Sequence, residues 1–169
     1  MCIVVVMVDR TPEERRAYFL EQLRIGDKWA DYVADMIMKA GKSAYATPTK
    51  VAASEAEIEQ FTRYEKDILL DGDRSLEVKS RSFAFNGVES YPYDTVFVDT
   101  VEGWAEKVVK PVAVAVVSQV TGGIVMVPMS TVSVWSEKRV FDSKRGFEVN
   151  VLECPRSALK SFEEFLAWL

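Results

Sequence analysis

The amino-acid sequence predicts an α/β (α+β) domain in which helices flank a mixed β-sheet. The first quarter of the chain carries apolar residues at helical spacing, whereas alternation of apolar and polar residues begins near Asp67. Two apolar, β-branched runs follow at residues 112–117 and 124–127, and such runs are typical of buried central strands. The 169 residues suit one core, and no repeat or linker interrupts them, so we expect a single domain over residues 1–169.

The amino-terminal run, residues 1–8, is almost wholly apolar. It is too short to span a bilayer, and no basic stretch precedes it as in a secretory signal. We therefore expect a buried strand here, no association with membranes and a cytoplasmic location.

Two helices are predicted next in the chain. Thr11 can cap the first helix, which has Pro12 at its first position and continues up to Gly26. The second helix is predicted over residues 27–40 and ends at Gly41.

The remaining elements are predicted from capping signals and from changes in periodicity. Ser54 and Glu57 form a capping box for a third helix, which reaches Tyr64. The other predicted elements are an extended piece at residues 44–47, a β-hairpin with strands at 67–70 and 75–82, a strand at 95–98, a helix at 102–109, a strand at the sheet margin at 147–152 and an amphipathic helix at 157–169.

The sequence contains no histidine. This excludes Ser-His-Asp and Cys-His catalysis, histidine-ligated zinc and histidine general bases. Cys2 and Cys154 are too few for a disulfide framework and too far apart in sequence for a typical zinc motif, so we expect free, partly buried thiols. An enzyme of this composition must work with carboxylates, lysines, hydroxyls and bound metal.

One face of the predicted hairpin concentrates charged side chains. Along its second strand Glu77, Lys79 and Arg81 point away from the core, because successive residues of a strand face opposite sides. A turn with an odd number of residues places Asp67 directly opposite Glu77, with Cβ atoms about 5 Å apart. A two-residue turn instead places Asp67 on the other face, and the sequence leaves both registers open.

Two carboxylates at that separation repel each other unless a cation lies between them. Carboxylate oxygens suit Mg²⁺ or Mn²⁺, which usually keep several waters and also bind substrate phosphate. Lys79 lies on the same face as Glu77, where it can orient a metal-bound water and stabilise charge on a phosphate. The odd-turn register therefore predicts a hydrolytic metal site built without histidine.

This pattern resembles the PD-(D/E)XK nuclease superfamily, in which an aspartate on one strand and a (D/E)-x-K triplet on the next hold the metal. Asp67 matches the aspartate and Glu77-Val78-Lys79 the triplet, while Lys66 replaces the proline of the family name. With its neighbouring helix and strands, the hairpin looks like the restriction-endonuclease-like αβββαβ core of small phage-type and archaeal endonucleases and junction resolvases.

The resemblance implies a Mg²⁺- or Mn²⁺-dependent deoxyribonuclease. Asp67, Glu77 and the backbone carbonyl of Val78 would bind the metal. Lys79 would assist the attacking water. A homodimer would suit cleavage of both DNA strands, since each chain carries one such site.

The sequence also departs from that family. Many relatives carry a glutamate in the early helix, where the closest position here is Ala30, with Asp31 and Asp35 nearby. These two aspartates are candidate second-tier ligands or part of a solvated helix face, and binding of a second metal is left open. No Q-x-x-x-Y pattern follows the triplet, which disfavours processive exonuclease action.

Candidate DNA contacts lie near the triplet and around the end of the predicted helix at 102–109. Arg81, Lys107 and Lys110 could bind phosphate, or could be ordinary solvated cations. Trp104 and Trp135 could stack on bases, although packing is the more common role of tryptophan.

Three alternatives to a nuclease stay open at this point. The hairpin can be an ordinary solvent-facing one, since a (D/E)-x-K triplet is weak evidence alone and occurs again at residues 142–144, in a predicted turn. The chain can be a catalytically silent module of the same fold that binds nucleic acid or protein. It can also be an unrelated α+β interaction module, for which the net charge of −5 would be natural.

Overall fold

A computed structural model describes residues 11–50, 64–142 and 146–169 of the chain. The predicted strand at residues 1–8 and most of the predicted third helix lie outside the described residues, as do Ser143 and Lys144 of the second triplet. Within the described ranges, every helix is too short or too polar to cross a membrane.

Helices stand at both ends of the described chain, with the strands between them. In chain order the elements are α1 (Pro12–Lys39), β1 (Ala44–Ala46), β2 (Ile68–Leu70), β3 (Ser75–Arg81), β4 (Thr95–Thr100), α2 (Val101–Glu106), β5 (Ala113–Ser118), β6 (Ile124–Pro128), β7 (Ser136–Asp142), β8 (Phe147–Pro155), β9 (Lys160–Ser161) and α3 (Phe162–Trp168). Short 3-10 helices lie at Val88–Ser90, Met129–Val134 and Arg156–Ala158.

Helix α1 is one continuous helix, so the prediction of two helices divided at Gly26 was wrong. The predicted start is confirmed, because the Thr11 hydroxyl accepts a hydrogen bond from the Glu14 N–H and the Glu14 carboxylate accepts one from the Thr11 N–H. A mid-helix glycine costs only about 1 kcal/mol relative to alanine. The buried apolar face that follows, including Val33 and Ile37, outweighs that local cost.

Two sheets form, rather than the single mixed sheet that was predicted. The central sheet has the order β1-β2-β3-β5-β6-β9, and its β3–β5 pair is parallel while its other pairs are antiparallel. The second sheet has the order β4-β8-β7 and is antiparallel. The broader prediction of an α+β fold with a mixed sheet and helices is confirmed.

The second sheet accounts for several wrong boundaries. β8 was expected at a sheet margin but lies in the middle of the second sheet, and β7 was not predicted. β7 is mostly exposed along its length, so it lacks the alternation that marks a half-buried strand. Helix α2 ends at Glu106, before the predicted limit at residue 109, because two β-branched residues and Pro111 follow. Helix α3 starts at Phe162, after a 3-10 turn and β9.

Two apolar cores lie on the two faces of the central sheet. The first packs α1 and α3 against one face and includes Val33, Ile37, Leu76 and Phe165. The second core lies between the two sheets, and its members include the side chains Phe85, Val96, Val98, Trp104, Val114, Val116 and Cys154. The layers are therefore helices, central sheet and second sheet.

Candidate active site

The turn between β2 and β3 sets the register on which the candidate site depends. Leu70 donates its N–H to the Arg74 carbonyl at 2.9 Å, which leaves three residues in the turn. Gly72 and Asp73 both have positive φ, at 70° and 61°, a backbone conformation that glycine and aspartate adopt more readily than most residues. The odd-turn register is therefore confirmed.

The ladder of β2 and β3 brings Asp67 beside Glu77. Ile68 pairs with Leu76. One residue further out, the same register sets Asp67 against Glu77. The Asp67 carboxylate accepts a hydrogen bond of 2.7 Å from the N–H of Val78, which fixes it against β3. The first aspartate and the triplet are thus neighbours across the hairpin.

The charged face of β3 points into the space between the two sheets. Glu77 pairs with Val114 and Lys79 with Val116, and both valines belong to the second core. Glu77 is only 9% exposed, so the hairpin is not the solvent-facing one considered as an alternative. A carboxylate buried to this extent needs charged or hydrogen-bonding partners.

Two lysines supply those partners. The Lys79 ammonium lies 2.5 Å from Glu77 Oε1, and the Lys107 ammonium lies 3.2 Å from Glu77 Oε2. Asp99 completes the group, with its oxygens 3.8 Å from Lys79 Nζ and 3.7 Å from Lys107 Nζ. The four side chains, called the charge cluster below, alternate in sign around a ring.

Asp99 was missed by the sequence analysis because a β-bulge changes the direction of its side chain. The register of β4 on β8 shifts between Phe97 and Asp99. Val98 and Asp99 are consecutive, yet Val98 is fully buried and the Asp99 side chain is only 13% exposed, which regular alternation does not allow. An aspartate directly after a buried strand residue was the one signal in the sequence that could have identified it.

The electrostatic setting differs between the two carboxylates of the hairpin. Burial, followed by repulsion from Glu77, raises the pKa of Asp67 to about 6, even though the hydrogen bond from Val78 acts the other way. Burial also acts to raise the pKa of Glu77, but Lys79 and Lys107 outweigh it and hold that pKa below its usual range. Lys79 and Lys107 also act to lower the pKa of Asp67, but burial outweighs them there.

The lysine of the triplet is held in its charged form. Burial acts to lower the pKa of Lys79, but Glu77 and Asp99 outweigh it, and the pKa is raised. At neutral pH this side chain is a proton donor and a positive charge, not a base.

The backbone of Val78 also points towards Asp67. Ser75 and Arg81, at odd-numbered positions of β3, accept hydrogen bonds from the side of β5. Backbone groups of successive strand residues point to opposite sides, so the even-numbered residues of β3, including Val78, turn their N–H and carbonyl groups towards β2. The Val78 N–H confirms this direction, because it donates to Asp67. The Val78 carbonyl shares that direction, because the N–H and carbonyl groups of one residue in an antiparallel pair point to the same neighbouring strand.

Asp67, Val78 and three members of the charge cluster line one cavity of about 330 Å³. Its walls include Asp67, Glu77, Lys79 and Lys107, and it also contains Glu65, which was not singled out from the sequence. Burial and the nearby Asp27 carboxylate raise the pKa of Glu65. In the parts of the chain that the structure describes, no group of three or more acidic, histidine or cysteine side chains is close enough to hold a metal ion by itself.

The second-tier candidates on α1 do not reach this cavity. Asp31 and Asp35 are both exposed, whereas the buried face of α1 packs on the opposite side of the central sheet from Glu77. Neither side chain lines the cavity.

The candidate DNA contacts fall in different surroundings. Lys107 joins the charge cluster, whereas Lys110 donates to the Trp104 carbonyl and lies over the Trp104 ring. Arg81 donates to the Phe97 carbonyl at 3.1 Å, and burial lowers the pKa of its guanidinium. Only Lys107 among these three enters the cavity.

The two tryptophans considered for base stacking pack on each other. Trp104 is 9% exposed, and its ring centroid lies 5.0 Å from that of Trp135 in an edge-to-face arrangement. Packing is therefore the observed role of this pair.

Comparisons of the chain with protein-family models, with curated proteins and with solved structures found no match. The functional interpretation accordingly rests on the site itself.

Asp67→Asn is expected to stabilise the protein at pH 8. The raised pKa means that the folded protein holds this proton more tightly than the unfolded chain, so the stability it contributes is full below about pH 4 and is lost as the pH rises to about 6. The neutral side chain avoids that loss, which amounts to about 3 kcal/mol. Urea unfolding at pH 4 and pH 8 measures the difference in the free energy of unfolding between Asp67→Asn and the parent. The variant and the parent should be equally stable at pH 4.

Asp71→Asn is the matched control, because Asp71 is an exposed residue in the turn of the same hairpin. Its stability should follow the parent at both pH values. If Asp67→Asn and the parent had the same free energy of unfolding at pH 8, the charged form of the Asp67 carboxylate would not destabilise the folded protein.

Proposed function

We propose that the chain is a cytoplasmic, Mg²⁺- or Mn²⁺-dependent deoxyribonuclease, an endonuclease or junction resolvase with a restriction-endonuclease-like core. The order of elements supports this fold. Helix α1 packs on a sheet in which the antiparallel β1, β2 and β3 are followed by β5, parallel to β3. The crossover between β3 and β5 carries α2 and the strand β4.

The observation that carries the proposal is the meeting of Asp67, Glu77 and Lys79 on one face at a cavity. A catalytic set without histidine needs acidic ligands, a cation that stabilises charge and room for a phosphate. The hairpin supplies the first two, and the cavity of about 330 Å³ supplies the third.

A divalent cation fits the donors present on grounds of charge. Asp67, Glu77 and Asp99 are three carboxylates that face the two ammonium groups of Lys79 and Lys107, which leaves one negative charge uncompensated. Mg²⁺ is commonly held by one or two carboxylates and several waters, so it does not need a cage of three acidic side chains.

Asp67, Glu77 and the Val78 carbonyl would hold the ion. When bound, a divalent cation supplies a water of lowered pKa and a clamp for the phosphate. Lys79 keeps its proton and places a positive charge beside the reacting phosphate. Lys107 holds the second oxygen of Glu77, which orients that carboxylate. The second sheet covers this face and limits the access of bulk water.

One observation favours a second candidate, a catalytically silent module that binds nucleic acid or protein. Each carboxylate oxygen of Glu77 is already close to an ammonium group, so the charge cluster can be satisfied without metal. Such a cluster would have a structural role only, and the surface of the protein would do the binding.

A cleavage panel distinguishes the two candidates. Linear, single-stranded, circular and four-way-junction DNA are each incubated with Mg²⁺, Mn²⁺ or EDTA. The nuclease is expected to cut at least one of them only when metal is present, and sedimentation would test the expected homodimer. Metal-independent binding without any cleavage would favour the silent module.

Lys79→Ala should reduce the cleavage rate by about a hundredfold, because it removes one donor to the charge that develops on phosphate. Metal binding should persist through Asp67 and Glu77, which calorimetry with Mg²⁺ can measure. Lys138→Ala removes a lysine that lies on β7 and is 60% exposed, so it is the control and should cleave like the parent. Equal rates in Lys79→Ala and the parent would remove Lys79 from the mechanism.

Binding to DNA is expected to weaken as salt is added, although the whole chain is acidic. Local cations make the phosphate contacts, and each contact releases counterions on binding. The affinity for a metal-free duplex should therefore fall between 50 and 200 mM salt, roughly tenfold or more for a few contacts. An affinity that does not depend on salt would point to a protein partner.

A further inference from the structure

One apolar cavity is not used by the nuclease proposal. It has a volume of about 720 Å³, within the usual range of ligand sites. Its walls come from the start of β5, the end of β6 and helix α3, with Val112, Met129, Phe165 and Trp168 among them. Because Ala113 pairs with Pro128, all of these walls lie at one end of the central sheet.

This apolar cavity adjoins the charged cavity of the candidate active site. Pro111 lines both cavities. Segment 107–111 forms a common wall, with Lys107 and Val109 on the charged side and Lys110 on the apolar side. A ligand that extends past Pro111 would therefore reach from one cavity into the other.

The rim combines an exposed indole with cations. Trp168 is 58% exposed, a large apolar surface to leave in water, and the Arg74 guanidinium lies 5.3 Å from its ring centroid. Lys110 and Lys160 also line the cavity, the latter paired with Glu164 at 3.2 Å. Aromatic rings that stack on bases, next to cations that follow phosphates, are the features by which proteins bind single-stranded nucleic acid.

We propose that the apolar cavity is a base-binding subsite, which receives an unpaired base of the DNA strand whose phosphate lies in the charged cavity. The inference rests on the proposed function for the choice of DNA as ligand. It predicts that the enzyme prefers substrates with unpaired nucleotides beside the cleaved bond, such as junctions, flaps and single strands. The base would stack on Trp168, and Arg74 and Lys110 would lie beside the backbone.

The test measures base recognition in EDTA, so that cleavage plays no part. Fluorescence anisotropy compares a ten-nucleotide oligothymidylate with an abasic oligonucleotide of the same length and charge. The parent should bind the oligothymidylate about tenfold more tightly, since stacking on an aromatic side chain favours a base over an abasic site. Trp168→Ala should lose that preference and still bind both through phosphate.

A second variant keeps Trp168 and fills the cavity instead. Ala167 lines the cavity and is exposed, so Ala167→Trp adds bulk there without removing a buried contact, and it should lose the same preference. Phe141→Ala is the control, because Phe141 is an aromatic residue that is 65% exposed on β7 and does not line the cavity. It should retain the preference of the parent.

The outcomes separate the subsite from the nuclease. The subsite would be overturned if Trp168→Ala and Ala167→Trp both kept the full preference for oligothymidylate over the abasic oligonucleotide. It would also be overturned if the parent were a dimer in sedimentation and Trp168→Ala dissociated it, because a second chain would then occupy the cavity. A preference that Trp168 carries, in a protein that cuts no DNA with Mg²⁺, would support the subsite and overturn the nuclease.

Discussion

Glu77→Gln is expected to abolish metal-dependent cleavage, with a rate below about a thousandth of the parent's. Glutamine keeps the shape of the side chain and one carbonyl acceptor for the two lysines, but it removes the negative charge that a divalent cation needs. The measurement is Mg²⁺-dependent cleavage of the best substrate from the panel. DNA binding without metal should persist or tighten, because one carboxylate no longer repels phosphate.

The same variant should also lower the melting temperature. Lys79 and Lys107 would lie in a buried setting without their closest carboxylate, which is costly for charged groups. Asp142→Ala, at the second (D/E)-x-K triplet, is the control and should cleave like the parent. Parent-like cleavage by Glu77→Gln would mean that the hairpin has no catalytic role.

Gly123→Ala is expected to lower the free energy of unfolding by about 3 kcal/mol. A Cβ atom at this position would lie 2.1 Å from the Phe85 carbonyl oxygen and 2.6 Å from the Asn86 Cα. Both neighbours are backbone atoms, which cannot rotate away, so the β5–β6 turn would have to move. Urea unfolding gives the change directly.

Gly26→Ala is the matched control, with an effect of opposite sign. Nothing lies within 4 Å of an added Cβ at Gly26, which is an exposed residue inside α1. Alanine should stabilise that helix by about 0.5–1 kcal/mol, because glycine loses more backbone entropy on folding. Equal stability of Gly123→Ala and the parent would mean that the chain near Phe85 does not approach the turn this closely.

The local part of the candidate site could be predicted from the sequence. Alternation along β3 puts Glu77 and Lys79 on one face, and the turn leaves only two registers for Asp67. Choosing between them required the positive φ of Asp73, which a sequence does not specify. Local periodicity therefore restricted the geometry of the hairpin but did not determine it.

The rest of the charge cluster depends on contacts between residues far apart in sequence. Asp99 reaches Lys79 only through a bulge against β8, and Lys107 reaches Glu77 only because α2 ends before it. Neither the bulge in β4 nor the end of α2 produces a periodic pattern in the sequence. The division into two sheets was missed for a similar reason, since the exposed β7 lacks the alternation by which strands are recognised.

The parallel pairing of β3 with β5 has a consequence for how the molecule folds. The β2–β3 hairpin closes over a three-residue turn, and hairpins of this kind form within microseconds. The β3–β5 pair instead encloses β4 and α2, so it must wait for a long loop to close. Asp67 and Glu77 can meet early, but Asp99 and Lys107 arrive only with that late step. A newly synthesised chain would thus hold Asp67, Glu77 and Lys79 together before Lys107 and Asp99 are in place. Pulse-labelled hydrogen exchange during refolding should show β3 protected on its β2 side before its β5 side.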